Sequence, residues 1–177
     1  MGWIYHFSGL KEVALELATH RDEYGKVKLL IVGDGDGFDD LVAIKEKYKL
    51  KDQIILTGKK PYEEIPEYIA AADVCILPAY PDEPIMQDIV PIKLYEYLAM
   101  GKPVITTRLP GIMKEFGEGN GVVYVKTPEM TINQSTSKKK PEEIESHGNN
   151  AREFVMNLDW KKITDPFESL LVSACHE

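Results

Sequence analysis

Two carboxylates separated by seven residues, Asp88 and Glu96, stand in the stretch Asp88-Ile89-Val90-Pro91-Ile92-Lys93-Leu94-Tyr95-Glu96. The stretch starts as an acidic loop and turns into a helix that closes at Gly101. Backbone N–H groups at such a helix start lack intrahelical acceptors and carry the positive end of the dipole, so the start of this helix favours a phosphate. Glu96, slightly further along, can accept hydrogen bonds from neutral hydroxyls such as those of a ribose. Asp88, back in the loop, can hold sugar hydroxyls or meet positive charge developing at an anomeric carbon. The plain alternative is a solvated loop acid, a surface helix acid and a solvated lysine.

The elements that must position these residues follow a βαβ rhythm, because apolar strand-like runs alternate with helical patterns. Strands are expected at Trp3–His6, Val27–Val32, Gln53–Thr57, Asp73–Leu77, Pro103–Thr107 and Gly121–Val125. Ser8 is the expected N-cap of a first helix with Leu10, Val13, Ala14, Leu17 and Ala18 at helical spacing. Pro61 is expected to open a third helix, with Pro66 still near its start. Gly111–Phe116 reads as one helical turn, 127–140 as a mobile polar loop, and 141–177 as a region of C-terminal helices around 151–157 and 160–172.

That order predicts an α/β fold: a Rossmann-like, doubly wound, parallel six-stranded sheet with helices on both faces, in one domain over residues 1–177. Ligands of such sheets sit outside the carboxyl ends of the strands, where the order reverses. Attention therefore falls on His6–Gly9, Gly33–Gly37, Gly58–Lys60 and Ala79–Glu96. The loop Ala79–Ile89 is long for such a fold, and long loops in α/β domains are commonly functional.

Composition narrows the chemistry. The formal net charge of -8 opposes binding to nucleic acid or an anionic membrane surface. Two cysteines, Cys75 and Cys175, suggest neither a disulfide framework nor a metal cluster, and a reducing cytoplasm is the expected location. No signal peptide or membrane-spanning run is apparent. Gly33–Gly37 is not a dinucleotide fingerprint, since Phe38 stands where its third glycine belongs, and Lys45 in place of a closing Glu argues against a calcium loop. His147 and His176 fall in poorly patterned regions and are read as incidental.

At residues 88–104 the sequence resembles the group-1 family of retaining glycosyltransferases with the two-domain GT-B fold. Two acidic residues separated by seven, followed by Glu96-Tyr97-Leu98-Ala99-Met100-Gly101-Lys102-Pro103-Val104, carry the likeness. Leu30-Ile31-Val32-Gly33-Asp34-Gly35, Ile55-Leu56-Thr57-Gly58, Ala71–Pro78 and Asn150–Phe154 extend it. The resemblance implies the C-terminal, donor-binding half of such an enzyme, with the N-terminal acceptor domain absent and the fragment alone inactive. The substrate would be a nucleoside diphosphate sugar, its sugar passing to an acceptor hydroxyl with retention. No metal or cofactor is expected, and any membrane contact would come through the absent domain. By the same resemblance Glu96 binds the donor ribose, Asp88 contacts the transferred sugar, and Ile92 and Lys93 cradle the diphosphate. Gly58, Lys59 and Lys60 lie near the nucleobase. Tyr80 and His6 join the donor-binding set from their places after predicted strands, with packing and a structural cap as the plain alternatives.

Two departures stand out. Asp88 replaces the family's usual Glu. The Arg and Lys that the family places after its first strand, to neutralise the diphosphate, correspond here to Trp3 and Ser8. Lys11, Lys59 and Lys93 are the candidates to supply the missing charge. Two alternatives stay open: an epimerase acting on nucleotide sugars, and a degenerate domain that binds a partner protein.

Overall fold

The structure is a computed structural model. It describes residues 1–136, 141–156, 158, 164, 165, 168, 169, 172 and 173. Its strands are β1 (Gly2–Trp3), β2 (Leu29–Ile31), β3 (Gly33–Asp34), β4 (Ile54–Leu56), β5 (Cys75–Leu77), β6 (Val104–Thr107) and β7 (Val122–Val125). Every ladder is parallel, and the pairings are β1 with β3, β2 with β4, and β6 between β5 and β7. The parallel α/β architecture is as expected, but the single six-stranded sheet is not. The expected second strand keeps only Leu29–Ile31 as β2, and a separate short strand, β3, follows it in the glycine-rich turn and pairs with a different neighbour.

The break between β2 and β3 rests on two glycines. Gly33 and Gly35 hold φ of 137° and 147°, values that L side chains rarely adopt. A side chain at Gly33 would run into the Gly2 carbonyl, and one at Gly35 would meet the Ile4 backbone. The glycines thus let β1 lie directly against the chain, through Gly2 N–H to Val32 O and Ile4 N–H to Asp34 O, each 2.9 Å. Beyond the strand ends, Tyr80 N–H donates to Phe7 O at 3.0 Å and ties the segment after β5 to the turn after β1.

The first strand is also shorter than expected, because His6–Ser8 winds into a 3-10 turn. Gly9, at φ 68°, precedes α1 (Leu10–Thr19) in place of the expected Ser8 cap, and no side chain caps that helix. α1 buries Val13, Ala14 and Leu17, and α2 (Phe38–Lys47) buries Leu41 and Ile44. Together with Ile31, Leu50 and Ile54 they make one core. α3 (Ile65–Ala70) carries Pro66 in its first turn, as expected.

A second core lies under α4 (Ile92–Ala99), α5 (Pro110–Phe116) and α7 (Pro141–Met156), and includes Leu77, Leu94, Leu98, Val104 and Phe116. Full burial of Leu94 or Leu98 stabilises the fold by about 1.5–3 kcal/mol each, which is what holds α4 against the sheet. Lys102, just past α4, donates to Ala70 O at 2.8 Å and Ala72 O at 2.6 Å, satisfying carbonyls at the end of α3. Cys75 is buried in β5, and burial pushes its thiol up to about 11, so it is not a reactive thiolate.

Three C-terminal expectations change. α5 is longer than one turn, and α7 begins at Pro141, well before 151. Residues 130–136 of the expected loop form α6 (Met130–Thr136), because Ile132 finds apolar cover beneath α1 and Thr131 is buried beside it. Residues 137–140 of that loop, most of the expected last helix, Cys175 and His176 lie outside the described residues; 164, 165, 168, 169 and 172 are helical. Among the described residues, no helix is long and apolar enough to cross a membrane.

Candidate functional site

Pro91 sets the start of α4. It is extended at ψ 130°, and no side chain caps the helix behind it. The N–H groups of Ile92 and Lys93 are therefore left for solvent or a ligand. Ile92 and Lys93 border a cavity of about 350 Å³, a size that suits a small-molecule ligand. Its wall is built from β1 and β3, the segment after β4, the start of α3 and the first turns of α4.

The cavity collects Ile92, Lys93, Glu96, Lys59 and Lys60 from the sequence-derived set. Lys93 reaches toward β1, its Nζ 3.7 Å from where a Gly2 side chain would begin. Burial lowers its pKa from the ordinary lysine value, and the nearby Glu96 carboxylate opposes that shift. Glu96 Oε1 accepts a hydrogen bond from the Tyr62 hydroxyl at 3.1 Å. That bond, with the Glu96 charge, raises the pKa of the exposed phenol. Lys60 Nζ stands 5.8 Å from the centre of the Tyr68 ring, and Lys59 is exposed.

The remaining expected residues are not among those that line the cavity. Gly58 adjoins it at φ 68°, with its carbonyl accepting from Gly33 N–H at 2.9 Å. Asp88 is exposed on the loop before α4. That loop is fastened by Gly111, whose N–H donates to Gln87 O at 2.8 Å and whose lack of a side chain lets the Asp88 carbonyl approach. Tyr80 donates to Glu12 Oε1 at 2.6 Å, and burial together with that bond pushes its pKa up to about 12. His6 is exposed in the 3-10 turn. Lys11 does not supply the missing charge at the cavity, since it pairs with Asp40 at 2.8 Å on the surface.

Sequence reasoning overlooked Tyr62 and Ile65 in the wall, reached Gly33 and Asp34 only as part of the stretch Gly33–Gly37, and took Trp3 as a replaced cation. Trp3 is 49% exposed there, its indole N–H 3.3 Å from Asp36 Oδ2. The only signal for Tyr62 was an aromatic residue two places after Lys60.

A sequence profile described as Glycosyl transferases group 1 matches residues 6–162. The chain belongs to that family. Among curated relatives, N-acetyl-alpha-D-glucosaminyl L-malate synthase of Bacillus anthracis is 26% identical over 147 residues, which is 81% of this chain and 36% of that protein. The crystal structure of Anabaena Alr3699/HepE in complex with UDP superimposes with a TM-score of 0.78 at 19% identity, over 97% of this chain and 48% of that one. The C-terminal domain of the group 1 family protein LpcC from Francisella tularensis superimposes with a TM-score of 0.71 at 16% identity, over 89% of this chain and 83% of that one. The fold is that of the GT-B glycosyltransferases. The chain spans between 18% and 36% of the length of the curated relatives it matches.

Proposed function

We propose that this chain is the donor-binding domain of an enzyme that moves a sugar from a nucleoside diphosphate sugar to an acceptor hydroxyl, with the anomeric configuration retained. The observation that carries the reading is the convergence of Lys93, Glu96 and the uncapped start of α4 on one cavity that Lys59 and Lys60 also line. An anion needs donors and positive charge, and a ribose needs a hydrogen-bond acceptor. In this reading the α4 amides and Lys93 hold the diphosphate, Glu96 accepts from the ribose hydroxyls, and Lys59 and Lys60 flank the base. Asp88, exposed on the loop before α4, reaches for the transferred sugar.

During transfer the bond from the anomeric carbon to the diphosphate oxygen breaks and one to the acceptor oxygen forms. Negative charge gathers on the diphosphate, so groups that meet it there stabilise the transition state. Lys93 and the α4 amides are the groups on this chain that do so. Retention is supported by the Bacillus anthracis relative, whose name specifies an alpha product, the configuration of the common nucleotide sugars. An acceptor-binding half is proposed for the part of the relatives' length that this chain does not span.

The competing reading of a nucleotide-free interaction domain drew on the non-cationic Trp3 and Ser8. Three lysines lining the cavity weigh against it. Titration of the isotope-labelled chain with UDP, the nucleotide of the HepE complex, tests the proposal. Amide shifts at Ile92, Lys93 and Glu96 are expected; silence there with UDP, GDP and ADP alike would sink it.

A further inference from the structure

Glu96 already has a partner. The Tyr62 hydroxyl donates to its Oε1 at 3.1 Å, from a residue 34 positions earlier in the chain. Tyr62 opens the 3-10 turn Tyr62–Glu64, which follows directly on Lys59, Lys60 and Pro61. Its ring lines the same cavity as Glu96 and is 72% exposed, so the domain covers little of it. The hydrogen bond therefore reaches from the segment after β4 to α4, the two elements between which the nucleoside lies in the reading above. An aromatic ring left open beside a ligand cavity is a surface on which a flat base can stack.

We propose that Tyr62 is a nucleoside-contacting residue whose hydroxyl holds Glu96, yields that oxygen to a ribose hydroxyl when a nucleotide binds, and leaves its ring against the base. The inference rests on Glu96 being the ribose acceptor. Two ribose hydroxyls can replace the single phenol donor on the carboxylate, so the exchange still favours binding, by less than it would with no phenol to displace. The ring then gains contact with the base. The phenol supplies the Glu96 carboxylate with a donor in a wall that also holds the buried Lys93.

Removing the hydroxyl while keeping the ring separates the two contributions. Calorimetric titration with UDP is run on the 177-residue chain and on Tyr62→Phe, Tyr62→Ala, Glu96→Ala and the Tyr62→Phe/Glu96→Ala pair. Tyr62→Phe is expected to bind UDP about threefold to tenfold tighter, because the ribose no longer competes with a phenol for Glu96. Tyr62→Ala should bind about tenfold more weakly than Tyr62→Phe, the loss of one stacking surface. In the Glu96→Ala background, Tyr62→Phe should change nothing.

If Glu96→Ala weakens UDP but Tyr62→Phe matches or falls below the parent, Tyr62 is no competitor for Glu96 and the inference is overturned while the site reading stands. It is overturned in the same way if Tyr62→Ala and Tyr62→Phe bind alike, or if the gain persists without Glu96. If Glu96→Ala leaves UDP binding untouched, or the folded parent binds no UDP, the site reading itself fails and takes this inference with it.

Discussion

Lys93 and Glu96 stand one turn apart on α4 and line the same cavity, yet no ion pair joins them among the described residues. Opposite charges three residues apart commonly pair along a helix surface. Here Glu96 takes its hydrogen bond from Tyr62, while Lys93 turns toward Gly2 and loses solvent. Each charge is thereby kept for something other than its neighbour.

Glu96→Ala should weaken UDP binding by roughly tenfold to a hundredfold, the worth of hydrogen bonds to a charged acceptor. A 2′,3′-dideoxy analogue of UDP should bind the parent and the variant equally. Calorimetry on the four combinations checks it.

Lys93→Met should weaken UDP by about tenfold or more but leave uridine unaffected, because only the diphosphate needs the charge. The same change should stabilise the domain. Burial holds the lysine pKa in the fold below its unfolded value, so folding disfavours the protonated form. That cost is fully present below the folded pKa and disappears as pH rises from the folded toward the unfolded value. Thermal melts should show a gain of a few degrees for Lys93→Met at pH 7, shrinking in alkaline buffer.

Two glycines with φ 68° should respond differently to alanine. At Gly9 a side chain would strike the Pro78 carbonyl, whereas at Gly58 nothing lies within reach. Gly58→Ala should cost about 1–2 kcal/mol for its left-handed backbone alone. Gly9→Ala should cost about 3 kcal/mol or more, since the collision adds to that strain. Urea denaturation at constant pH measures both.

Lys102→Met should lower stability by about 1–3 kcal/mol by releasing the Ala70 and Ala72 carbonyls. UDP affinity should not change, because Lys102 does not line the cavity. A drop in affinity without a drop in stability would contradict this structural assignment.

Much of α4 is legible in the sequence, because its signals are local: a proline at the start, apolar residues at helical spacing, and a glycine stop at φ 67°. The residues it carries into the cavity, Ile92, Lys93 and Glu96, can be named from that pattern. The split between β2 and β3 is hidden, since the conformation of Gly33 answers to the approach of Gly2 from a distant part of the chain. α6 is hidden too; its sequence is polar, and its one well-covered apolar side chain, Ile132, depends on α1 for cover.

From the order of residues alone came the parallel α/β class, the helix that offers its amides, and the pair of carboxylates, all set by periodicity and by chemistry within one stretch of chain. The tertiary structure decided which cations count: Asp40 neutralises Lys11 across the surface, while packing of α4 against β1 brings Lys93 to the cavity that Trp3 and Ser8 leave uncharged. It also decided that Tyr62 meets Glu96. Those outcomes depend on contacts between residues far apart in sequence, and spacing along the chain holds no record of them.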